Sequence, residues 1–165
     1  MSILFSRLIQ ILLLRLGPQD LPPGPSVLLA TLTLYLVTAS LSISLGDGAG
    51  SPTLLLLLAT GLPMLLVWIV LRLKSRVSRW EQTLSALYGT SALLSLLSLP
   101  LNLQVGAEPA PPIVLLSLVI FLWSFAVDAH IWRHALDTSF AAGLAVAMIM
   151  FLLSFGIISS VAGPL

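Results

Sequence analysis

The stretch "RLKSRVSR", residues 72–79, puts four of the chain's seven Lys and Arg residues into eight positions between two long apolar runs. Lys and Arg near the ends of spanning helices stay on the side of the bilayer where the chain is made, so this loop sets orientation as well as a helix boundary. The other three bases are Arg7, Arg15 and Arg133. If the N-terminus is cytoplasmic and five helices alternate, all seven fall on the cytoplasmic side. The two opposite segments, 46–52 and 102–112, then hold only Asp47 and Glu108. The expected arrangement has the N-terminus inside and the C-terminus outside, with Trp80 and Trp132 at the cytoplasmic interface, where indoles gather.

Composition says what lies around these loops. Of 165 residues, 58% are hydrophobic and 8% charged, and the mean hydropathy is +1.11. A soluble domain carries roughly 25% charged residues to coat its surface, so most of this surface must face lipid. A net charge of +1 speaks against a nucleic-acid partner. The absence of cysteine removes disulfides, thiolate chemistry and cysteine-based metal sites.

The pattern predicts an all-α, polytopic integral membrane protein: a single membrane domain with five transmembrane helices and an N-terminal amphipathic interfacial helix. The interfacial helix covers 2–16, with Ser2, Ser6, Arg7 and Gln10 on one side of its wheel. It lacks a small-x-small cleavage site and rises only about 21 Å, too short to span. Pro22, Pro23 and Pro25 then read as a stiff extended connector. The spans are expected at about 26–45, 53–73, 80–101, 113–133 and 138–161, each near the ~20 residues a crossing needs. Ser51 and Pro52 open the second span, and Ser78 with Glu81 reads as a capping box for the third. Pro63 should free the carbonyl of Ala59 and kink the second span.

The segment "FAVDAHIWRHALD", residues 125–137, holds the candidates for chemistry. His130, His134 and Asp137 at i, i+4, i+7 would share a helical face, the spacing of a two-imidazole, one-carboxylate metal site. "HIWRH" lacks the Glu of a zinc-protease helix, and a turn at 134–137 would leave Asp137 as N-cap of the fifth span, so no metal or other cofactor is expected. Asp128 lies inside the fourth span and calls for a partner, with Arg76, Arg79 or Ser85 as the nearest candidates. Hydroxyl stripes run along the first span (Thr31, Tyr35, Thr38, Ser42) and the third (Ser91, Ser95, Ser98, Asn102). They fit interhelical packing, as do Gly143 and Ala147 on the fifth. Arg72, Lys74, Arg76 and Arg79 would meet anionic headgroups.

Five closely spaced helices, a cytoplasmic N-terminus and a lead-in ending in "LLLRLGPQDLP" resemble small bacterial members of the Yip (Ypt-interacting protein) superfamily. The Asp-Leu-Tyr-Gly-type motif of the eukaryotic proteins does not occur here. The resemblance implies a fold and a topology in a bacterial inner membrane, and it brings no catalytic residues. The function expected is non-enzymatic: an accessory, scaffold or assembly subunit whose partners are the lipid bilayer and other membrane proteins or further copies of itself. The alternatives are an oligomeric transporter or channel using Asp128 and the hydroxyl stripes, and a metal-dependent membrane enzyme using His130 and His134.

Overall fold

The computed structural model describes residues 2–45, 51–102 and 110–162. Among them are six helices: α1 Ser2–Leu12, α2 Pro25–Leu45, α3 Pro52–Leu73, α4 Trp80–Asn102, α5 Pro111–Leu136 and α6 Phe140–Ala162. No strand occurs among the described residues. Five of the helices are long and apolar enough to cross a membrane, so the all-α polytopic membrane class holds. The loops carrying Asp47 and Glu108 lie outside the described residues.

α4 is the hub. It contacts α1, α2, α3 and α5, while the α2–α3, α3–α6, α5–α6 and α1–α5 contacts form a partial ring around it. It is also the least apolar and the most buried of the five spans. The two properties belong together, since a helix shielded from lipid can carry polar side chains if each finds a local acceptor. Thr83, Ser85 and Thr90 are buried, and their hydroxyls donate to the carbonyls of Arg79, Glu81 and Ala86, one turn back.

α1 packs against the bundle. Leu8 and Ile11 are buried with Leu21, Ala86, Val127 and Ile131 in one apolar cluster. Phe5, Ile9 and Leu13 are exposed on a second face, and Ser6, Arg7 and Gln10 occupy a third. Three sectors facing protein, lipid and headgroups are what an amphipathic helix docked at a bundle's edge requires.

Helix ends differ from expectation in several places, and each has a cause. α1 stops at Leu12 instead of reaching residue 16. Arg15 N–H donates to Gln10 O and Leu14 N–H to Ile11 O, with Leu14 at φ 60°. This is a Schellman cap built without glycine. α3 ends identically, Arg76 N–H to Leu71 O and Ser75 N–H to Arg72 O, with Ser75 at φ 55°. α5 runs on to Leu136 and closes through Thr138 N–H to Arg133 O, with Asp137 at φ 51°. Left-handed non-glycine residues cost about 1–2 kcal/mol each, so three at one end of the bundle mark turns held by their surroundings.

Asp137 is therefore the left-handed terminus of α5 and not the N-cap of α6. Ser139 takes that role, its Oγ accepting from Ala142 N–H at 3.2 Å. The Ser78–Glu81 capping box is likewise replaced by a 3-10 turn over Val77–Arg79, which places Ser78 mid-turn. Before the Pro22–Pro23 connector, Pro18–Asp20 forms a 3-10 turn, with Asp20 Oδ2 accepting from Gly17 N–H at 2.8 Å, and Pro25 already opens α2. Pro52 does open α3, although Ser51 makes no side-chain capping bond. Trp132, expected at the interface, is 1% exposed in the main core with Val67, Leu71, Leu84 and Tyr88.

α5 and α6 meet closely at Gly143. A Cβ there would overlap the backbone carbonyl of Ala129, whereas one at Gly156 would meet nothing within 4 Å. Gly143→Ala is expected to destabilise the detergent-solubilised protein by about 1–3 kcal/mol. Gly156→Ala should stay within about 0.5 kcal/mol of the parent. Parallel thermal melts check both; equal melting temperatures for the pair would contradict the close contact.

Candidate intramembrane site

Pro63 interrupts α3 and, lacking an N–H, leaves the carbonyl of Ala59 without its helical donor. In hydrocarbon an unpaired carbonyl costs several kcal/mol. The neighbouring helices supply donors. Tyr35 of α2 donates its hydroxyl to Ala59 O at 3.3 Å, and Tyr88 of α4 donates to Thr60 O at 2.6 Å. Trp80 Nε1–H, also from α4, donates to Met64 O at 3.3 Å. The Tyr35 and Tyr88 rings lie 5.1 Å apart, tilted by 40°. Three helices are thus joined around Pro63, and both tyrosine hydrogens are committed to α3.

Beside these rings lies a partly enclosed cavity of about 160 Å³. Tyr35, Tyr88, Trp132 and Phe151 form aromatic walls, Pro63 and Val67 add α3, and Asp128, Ser91 and Ser154 bring polar atoms. Asp128 stands eight residues before the end of α5, about 12 Å along the axis. The expected partners are engaged elsewhere. Arg76 and Arg79 both pair with Asp137, and the Ser85 hydroxyl donates to Glu81 O at 2.7 Å. Among the described residues no cation pairs with Asp128.

Of the α4 stripe, only Ser91 lines this cavity; Ser98 donates to Ser95 O at 3.1 Å, which turns that pair to local use. The side chain of Asn102 lies outside the described residues. On α2, Thr31 and Thr38 are buried and bonded to their own helix, so Tyr35 alone reaches across.

The basic end forms a second polar cluster. Arg79 donates to the carbonyls of His134 and Ala135 at 2.9 and 3.1 Å, capping α5, and its Nη2 lies 3.0 Å from Asp137. Arg76 donates to the same carboxylate. His130 Nε2–H donates to Leu16 O at 3.0 Å, and His134 Nδ1 accepts from Gln19 at 3.4 Å. Gln82 donates to Leu21 O at 3.0 Å, and Arg7 to Asp20 O. The histidines thus face the segment after α1 while Asp137 faces the α3–α4 loop. Among the described residues no three His, Asp or Glu side chains converge as a metal site. Of the four bases offered to headgroups, Arg72 and Lys74 are exposed, whereas Arg76 and Arg79 are half-buried and spent on Asp137 and α5. Arg72 also stacks 4.8 Å over Trp68.

Sequence reasoning named Asp128, Ser91 and Tyr35 but not Tyr88, Trp132 or Phe151 as their neighbours. A signal was present. Tyr88 and Ser91, Asp128 and Trp132, and Ala147, Phe151 and Ser154 are spaced i+3 or i+4, and so share a face of their helix.

Tyr35→Phe should cost about 0.5–1.5 kcal/mol by reversible denaturation in detergent. In a Pro63→Ala background, where residue 63 regains an amide hydrogen for Ala59 O, the cost should fall by half or more. Tyr88→Phe should cost the same in both backgrounds, because Met64, four residues after its acceptor, has an amide hydrogen already. Equal Tyr35 costs in both backgrounds would refute its role as substitute donor to Ala59 O.

At Asp137, hydrogen bonding from Arg79, followed by the charges of Arg79 and Arg76, holds the carboxyl below the ordinary aspartate range. A depressed folded value contributes stability that is present at neutral pH and lost as pH falls through it. The melting temperature of the parent should therefore exceed that of Asp137→Asn at pH 7. The gap should close below about pH 4, and shrink in 1 M NaCl because the pair is half-exposed. Asn tolerates the left-handed backbone well, so the substitution isolates the charge.

Comparisons with protein-family models, with curated proteins and with solved structures returned no match to this chain.

Proposed function

We propose that this is a non-enzymatic subunit of a bacterial inner-membrane assembly, N-terminus cytoplasmic, acting within the bilayer through its lipid-exposed helix faces. The small bacterial Yip-like layout is part of the same reading. The observation that carries it is the face built by α5 and α6. Five of the chain's six phenylalanines lie on these two helices. Phe121, Phe125, Phe151 and Phe155 form a ladder with ring centroids 5.1–5.9 Å apart. Next to it runs an apolar groove lined by Leu122, Ala126, Phe140, Leu144 and Met148.

Aromatic side chains give large contact area for little lost rotamer freedom, which suits a protein contact better than fluid lipid. The orientation is supported by the clustering of the bases at the end where Arg76 and Arg79 hold Asp137 and Arg7 holds Asp20.

The chain has no cysteine, so single cysteines report without background. In native membranes, cysteines at Leu122 and Leu152 are expected to cross-link into one product of discrete mass, and cysteines at Leu29 and Leu57 into none. Uniform cross-linking at all four, or none at any, would remove the proposed face. Ser75→Cys should be labelled by an impermeant maleimide only in opened vesicles and Ser51→Cys in intact cells; the reverse would invert the topology.

The Asp128 cavity favours a second reading, an oligomeric transporter. Asp128→Asn that assembles normally yet abolishes ion or proton flux would select it over the first.

A further inference from the structure

We propose that the cavity around Asp128 binds a small organic ammonium cation, with the carboxylate as counter-charge and the rings of Tyr35, Tyr88, Trp132 and Phe151 as walls. The inference stands on the cavity alone, so it holds or fails independently of the α5–α6 assembly face, and it would name the cargo of the transporter reading.

Four observations converge. First, an ionised carboxylate away from water is costly without a counter-charge, and a permanent cation beside it removes much of that cost. Arg76 and Arg79, the cations expected beside Asp128, are both taken by Asp137, some 13 Å along α5. Second, the tyrosines cannot serve the carboxylate as donors, because their hydrogens go to Ala59 and Thr60. Those bonds also hold the two rings in place.

Third, the ring faces are electron-rich. Aromatic walls around one anion are the surroundings in which proteins hold alkylammonium groups, each close cation–ring contact being favourable once water is excluded. A hydrated metal ion would instead need several oxygen ligands, and the lining residues with oxygen-bearing side chains besides Asp128 are Ser91, Ser154 and the two tyrosines. Fourth, the size fits. A protein cavity of about 150 Å³ accepts benzene, and the roughly 160 Å³ here suits an ammonium ion of five to seven heavy atoms.

The probe is choline chloride, set against its uncharged carbon isostere 3,3-dimethylbutanol and against sodium chloride. The full-length protein is purified in a maltoside detergent, which carries no choline headgroup. Calorimetric titration and melting temperature are the readouts, since a ligand of the folded state raises the latter. Saturable choline binding at least tenfold tighter than the isostere is expected, with no matching stabilisation by sodium. Asp128→Asn should weaken choline at least tenfold while the unliganded melting temperature stays level or rises. Tyr88→Phe should keep most of the affinity and Tyr88→Leu lose it.

Equal affinity for choline and the isostere would reduce the cavity to an apolar pocket and overturn the proposal. So would an equal effect of sodium, retained choline binding in Asp128→Asn, or no saturable binding. The isostere and sodium comparisons use the unaltered protein, so the outcome does not depend on how any variant folds.

Discussion

Backbone carbonyls left without a helical donor at helix ends and at one proline are the constraint from which most of this structure follows. In water such groups cost little, but in hydrocarbon each must find a donor within the protein. The chain has few donors, and it spends most of its long-range ones on carbonyls. Arg79 serves His134 and Ala135, His130 serves Leu16, and Gln82 serves Leu21. Trp123 serves Leu12, while Trp80, Tyr88 and Tyr35 serve the stretch of α3 around Pro63. Each bond also ties one helix to another or to the segment after α1. A bundle whose lipid-facing sides gain little from association can take its specificity from these polar stitches.

The same constraint explains the position of α4. Its hydroxyls, indole and glutamine would be a liability on a lipid-exposed helix. At the centre of the ring they either fold back onto their own carbonyls or reach α3 and the segment after α1. Leu8 of α1 lies against Gly89 of α4, so the short first helix closes the side of the hub that α2 and α5 leave open. Its burial of Leu8 and Ile11 makes it part of the core as well as an element of the interface.

The spans were legible because lipid imposes length and apolarity on every crossing segment, and Pro63 announced the freed carbonyl. What occupies that carbonyl was not legible, since Tyr35 reaches it only once the axial register of α2 against α3 is set. The end of α5 was misread for a local reason. Asp is a strong N-cap residue, and only the left-handed turn, held from outside by Arg76 and Arg79, makes it a terminus instead. The same pair of arginines defeated the expected partner for Asp128. Nothing in their spacing distinguishes a carboxylate in the facing loop from one two turns deeper. Trp132 was assigned to the interface by residue type, yet its place four residues after Asp128 put it on the cavity face.

Asp128 is where these considerations meet. Desolvation of a carboxylate among apolar helices is a standing cost, and a leucine of similar bulk would pack there without it. Compare Asp137, which has two arginines and water beside it: Arg76 and Arg79 sit at the turn, where a charge is least expensive, and among the described residues no cation pairs with the carboxylate at depth, where it is most. That allocation is the opposite of what stability alone would favour. Tyr35 and Tyr88 repeat the pattern, since their hydrogens go to α3 while both residues line the cavity that holds the acid. A bundle that satisfies its carbonyls so thoroughly, yet keeps one carboxylate in an aromatic-walled cavity with no cation paired to it among the described residues, fits the ammonium site proposed above.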